Sequence, residues 1–110
     1  MNENELIIPL IEKLQKDFSI DKNNLPVKKD FAEEIRIIRE FLSKRIAGMM
    51  GKNMERFYNT LYRIDVNESK AKQILNHSDP GLIPDQLADL IIERQLQRVK
   101  TQILYKQGKL

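Results

Sequence analysis

Apolar residues recur at three- and four-residue steps through most of this chain, with polar residues between them, which is the signature of helices that each bury one face. Ile7, Leu10, Ile11, Leu14 and Phe18 form the first stripe. Pro9 has no N–H to donate and is tolerated only near a helix start, so the regular part should begin between Glu5 and Pro9. Residues 19–29 are polar, contain Pro26 and read as a surface linker. Asp30 with Glu33 then makes an acidic relative of the capping box, at a position where backbone N–H groups lack partners. Phe31, Ile35, Ile38, Leu42, Ile46 and Met49 follow as one stripe, and Ile37 with Phe41 widens it, as in a helix covered on two sides.

Gly48 and Gly51 weaken the next stretch by about 1 kcal/mol each relative to Ala. Beyond them Met50, Met54, Phe57, Leu61 and Ile64 form a stripe displaced from the previous one. A kink or short break at 51–53 accounts for the displacement, with Asn53 available to cap a separate helix. The clustered methionines Met49, Met50 and Met54 read as adaptable core filling, with a Met-lined binding groove as the sharper alternative. Ile64-Asp65-Val66 is a corner. Asp65 with Glu68 repeats the D-x-x-E start, predicting a short helix to about Asn76 with Ala71, Ile74 and Leu75 inward. Asp79-Pro80-Gly81 reads as a turn in which Pro sets φ and Gly takes positive φ.

The longest pattern runs from Leu82 to Leu104, with Pro84 at the first helical position and Asp85 and Asp89 near the positive end of the dipole. Leu87, Leu90 and Ile91 lie on one side; Ala88, Ile92, Leu96, Val99 and Ile103 form an adjacent stripe. The first half is therefore apolar over a broad arc. From Leu96 onward only a narrow seam survives, suited to helix 1, helix 2 or a second copy of the chain. Leu96, Val99 and Ile103 are accordingly the candidate interaction surface. The fold class these patterns predict is all-α: a small bundle of four to five helices with a long C-terminal helix, in one domain over residues 1–110.

Charge adds a gradient. Residues 1–40 hold nine acids against seven bases, whereas residues 94–110 hold five bases and no acid, a basic C-terminal extension. Bases near a helix C-terminus complement the macrodipole, and that explains most of the gradient. The absence of cysteine excludes disulfides, thiolate metal sites and cysteine nucleophiles, and suits a cytoplasmic location. No apolar run approaches a membrane span, and MNENELIIPLI has the wrong charge for a signal peptide. The expectation is a cytoplasmic chain with no membrane partner.

Candidate chemistry is sparse. His77 is the only histidine, which removes His–His metal pairs. His77, Asp79, Asp85 and Asp89 fall close together, yet turn and cap roles account for each aspartate. Glu33 and Glu40 sit with Arg36 and Arg39, the pattern of a solvated face. No Gly-rich phosphate loop, G-x-S-x-G or HExxH occurs, and no catalytic residue, metal or cofactor is implied. Tyr62, Arg63 and Asp65 are read as a structural polar corner, with Arg63 pairing to Asp65, Glu68 or Glu93. Arg94, Arg98 and Lys100 are the candidate basic patch for weak, salt-sensitive phosphate contacts.

LYRIDVNESKAKQIL (Leu61–Leu75) followed by LADLIIERQLQRVKTQ (Leu87–Gln102), with Arg45, Ile46, Met49 and Met50 before them, resembles a group of short, uncharacterised bacterial proteins. The likeness covers about the last two thirds of the chain; Gly48 and Gly51 depart from the helix-favouring residues expected there. It implies a small helical protein and brings no activity, cofactor or catalytic residue. The residues thus favour a small non-catalytic protein-interaction or self-association module, with itself or another protein as partner. A weak nucleic-acid-binding accessory protein is the alternative reading, and an enzyme with an unmarked site the second.

Overall fold

The computed structural model describes residues 4–19 and 30–108, which form five α-helices: α1 (Asn4–Phe18), α2 (Phe31–Lys52), α3 (Met54–Arg63), α4 (Glu68–His77) and α5 (Ile83–Lys106). The all-α bundle with a long last helix is what the stripes predict. Except for Ser19, the polar segment 19–29 lies outside the described residues. Among the described residues, no helix is long and apolar enough to cross a membrane.

Each helix end has a local cause. In α1, Ile7, Leu10, Leu14 and Phe18 are buried as predicted, and so is Leu6. The helix nevertheless starts upstream of Glu5, leaving Pro9 inside it. Pro9 removes the bond to the Glu5 carbonyl, but Glu5 is exposed and water can take that place. At the other end Ser19 turns left-handed at φ 56°, and Arg45 Nε of α2 donates to the Phe18 carbonyl at 2.8 Å. A cation thus sits on the negative end of α1.

Asp30 caps α2 by accepting from the Glu33 N–H at 2.8 Å, and Ile38, Leu42, Ile46 and Met49 are buried along it. Ile37 and Phe41 are only half-buried, so the second side of α2 is partly covered. The break falls at Asn53, whose side chain accepts from the Arg56 N–H at 3.0 Å and starts α3. Gly48 and Gly51 lie inside α2 with nothing near enough to exclude a Cβ. Met49 is buried and Met50 and Met54 pack half-buried against the core, so the methionines fill space.

The corner after α3 is a Schellman motif. Val66 N–H donates to the Leu61 carbonyl and Asp65 N–H to the Tyr62 carbonyl, with Asp65 left-handed at φ 60° and Leu61 and Val66 both buried. Asp65 therefore ends α3 and cannot cap α4. That role belongs to Asn67, which accepts from the Lys70 N–H at 3.0 Å. A left-handed β-branched residue costs ~1–2 kcal/mol. Urea melts should show Asp65→Val losing about that much while Asp65→Gly stays within ~0.5 kcal/mol of wild type. Equal losses in both variants would refute the backbone explanation.

The Asp79 turn also forms differently from its sequence reading. Pro80–Leu82 is a 3-10 turn capped by the Asp79 carboxylate on the Gly81 N–H, and Gly81 does not take positive φ. In α5, Pro84 occupies the second position, after Ile83. α5 packs on α1, α2 and α4. Arg39 pairs with Asp89 through two bonds of 2.5 and 3.0 Å, and Ser43 Oγ donates to Asp85 at 2.5 Å. The opposite run of these numbers makes α2 and α5 antiparallel. One apolar cluster joins all five helices, from Leu10 and Leu14 through Leu42, Ile46 and Phe57 to Leu87 and Ile91.

Candidate functional site

Two places in the fold are candidate sites, neither matching the sets expected from the sequence. The first lies between α1, α3 and α5. Gln95 is completely buried on the core face of α5, and its Nε2 donates to Asp17 Oδ2 at 2.6 Å. Asp17 Oδ1 accepts from Arg63 Nη2 at 3.3 Å, and Arg98 Nη1 donates to Gln95 Oε1 at 3.4 Å. Lys13 completes the group: partial burial, then the Arg98 charge, holds its ammonium below the usual lysine range. The pairing of Asp17 with Gln95 and the reach of Lys13 to Arg98 run in opposite directions, so α1 lies antiparallel along the second half of α5. Among the described residues no buried side-chain polar atom lacks a partner, so the buried part of this network is satisfied within the chain.

The predicted corner is therefore split. Arg63 fastens α3 to α1 rather than joining Asp65, Glu68 or Glu93. Asp65 instead pairs with Arg94 of α5 at 3.4 Å, and Tyr62 stands in solvent, 89 % exposed. Tyr62 and Arg63 diverge because successive residues of α3 point about 100° apart, and the left-handed turn at Asp65 carries the third side chain away from both.

The basic patch is divided in the same way. Arg94 also donates to the Ile64 carbonyl at 3.4 Å and Arg98 is engaged with Gln95, so among the three bases Lys100 is the exposed one. The seam at Leu96, Val99 and Ile103 is occupied from within. Val99 is fully buried in the chain, and Leu96 and Ile103 are half-buried. As a surface for a partner, Val99 is thus corrected: α5 passes along α1 and takes the seam for the bundle. Asp85 and Asp89 are engaged by Ser43 and Arg39, while His77 ends α4 in solvent. Among the described residues, no three His, Asp or Glu side chains converge to hold a metal ion.

The second place is a groove of about 770 Å³ between α3, α4 and α5. Leu61, Val66, Ala71 and Leu75 supply its apolar lining, and Tyr58 and Tyr62, one helical turn apart on α3, stand at its edge. Its charged residues neutralise one another: Lys72 pairs with Glu68 at 3.5 Å and Arg94 with Asp65 at 3.4 Å. Such a lining can bury apolar and aromatic side chains and orient them with a few polar groups. The sequence carried a partial signal for it, since Tyr58 and Tyr62 fall outside the Phe57, Leu61, Ile64 stripe. That α4 stands off far enough to leave space is a matter of tertiary placement. Comparison with family models, curated proteins and solved structures gives no match to this chain.

Proposed function

We propose that this chain is a non-catalytic protein-interaction module, and that an apolar or aromatic segment of another protein enters the groove between α3, α4 and α5. The observation that carries this reading is the pair of tyrosines at the groove edge. Tyr58 is 48 % and Tyr62 89 % exposed beside a lining of Leu61, Val66 and Leu75. Tyrosine offers a large contact area with few rotatable bonds, which is why it is enriched where proteins meet. The internally paired charges leave the groove near neutral, which favours a neutral peptide over a phosphate backbone. Burial of Val99 and engagement of Arg94 and Arg98 inside the fold weigh against the α5 seam and the basic patch as the primary surface.

Photo-crosslinking tests the reading. With benzoylphenylalanine in place of Tyr62, in the full chain expressed in its own cells, irradiation should give a discrete protein adduct. Leu75→Lys, which places a charge in the groove, should abolish it. An adduct with a second copy of the chain would identify the module as self-associating. Nucleic-acid adducts, adducts indifferent to Leu75→Lys, or none at all would overturn the proposal.

A further inference from the structure

Helix α4 differs from its neighbours in how little holds it. Seven of its ten residues are exposed, Ala71 alone is buried, and Ile74 and Leu75 are half-buried. Its packing is chiefly on α5. Among the described residues, no side-chain hydrogen bond or ion pair joins α4 to another helix; Lys72–Glu68 lies within it. Space flanks it on both sides: the groove toward α3, and a smaller one of about 400 Å³ that includes Lys70, Ile74 and Leu90. The core is thinnest here, since Leu61, Val66, Ala71 and Leu90 keep 7–9 % exposure while Leu42, Phe57 and Ile91 keep none.

Both ends of α4 are made for a change of direction. Before it, Val66 is held by the Schellman bond to Leu61 and Asn67 leaves the helical region. After it, Ser78 is extended and its hydroxyl bonds the Gln86 side chain at the start of α5. A helix tethered this way, with few buried apolar contacts and much solvated backbone, opens below the free energy of global unfolding.

We infer that α4 is a hinged lid over the gap between α3 and α5, opening as one unit about hinges at Asn67 and Ser78 while α1, α2, α3 and α5 stay packed. Opening exposes more of Leu61, Val66 and Leu90 and merges the two grooves. This device belongs to the chain alone and holds whether or not a partner uses the groove.

Native-state hydrogen exchange in urea below the unfolding transition, read by NMR on the full chain, tests it. Freed from α5, a ten-residue helix is marginal in water, so the amides of Ala71, Ile74 and Leu75 should exchange from the open state on one isotherm, at least about tenfold less protected than Ile46 and Ile91 and with a shallower urea dependence. The decisive variant lies outside α4. Ile46→Val destabilises the packed helices in the closed and lid-open states alike, so Ile91 should exchange about fivefold faster while the α4 amides keep their wild-type rates. Acceleration of the α4 amides by the same factor would show that they exchange only by global unfolding, and would overturn the lid. Three unrelated isotherms within α4 would overturn it as well, because they would mean fraying residue by residue.

Discussion

Ile92→Ala lowers the free energy of unfolding by about 2–5 kcal/mol, measured by urea denaturation at matched m-values. Ile92 is 4 % exposed on the face of α5 that joins the common core. Truncation removes three carbons from a packed site, so the lost transfer free energy is joined by the cost of the cavity left behind. One turn on, Leu96 is half-buried, and its truncation should cost clearly less because part of the side chain already meets water. The contrast locates the point where α5 passes from broad to narrow burial. A loss under ~0.5 kcal/mol for Ile92→Ala would mean that α5 is not buried there.

Asp17→Ala has the next largest expected effect, about 1–3 kcal/mol. Gln95 is completely buried, and removing the carboxylate takes away the acceptor of its Nε2 hydrogen bond. An amide donor stranded away from water carries its full desolvation cost, whereas the Arg63 partner, largely exposed, can turn to solvent. Asp17→Asn keeps an oxygen for Gln95 and should lose less than ~1 kcal/mol. In the Asp17→Ala background, Gln95→Met should recover about 1 kcal/mol relative to additivity, because apolar replacement of both partners leaves no buried amide unsatisfied while Arg63 and Arg98 can turn to solvent. Additivity of the two changes within ~0.3 kcal/mol would show that the Asp17–Gln95 bond does not act as a unit.

Gln95 shows why part of the site was legible and part was not. In the sequence it falls three residues after Ile92 and four before Val99, a spacing that offers an inward position, although the apolar stripe through Leu96 passes it over. Its partner is not marked, because Asp17 is 78 residues away and no local pattern links them. The same distinction separates Asp30 from Asp65. Both begin a D-x-x-E sequence, yet the first caps a helix and the second, left-handed at φ 60°, ends one. Local hydrogen bonding permits an aspartate either role, and the packing of Val66 on Leu61 decides between them.

What the sequence determined by itself is the set of helices and the face each one buries, since side chains three and four positions apart share a face whatever lies opposite. Leu10, Leu14, Leu42, Ile46, Phe57, Leu87 and Ile91 were marked as core by spacing alone, and all are buried. Tertiary structure decided which helix meets which. The narrow seam of α5 matched α1, α2 or a second copy equally well as a pattern, and the antiparallel contact of α1 closes it around Val99 and Gln95. Arg63, Arg94 and Arg98 were likewise assigned to partners only when the helices met, because a long charged side chain takes whichever acceptor packing brings within reach. The groove exists for the same reason. It is the space left beside the short α4, whose one buried residue is Ala71, and periodicity within one helix holds no information about a gap between two.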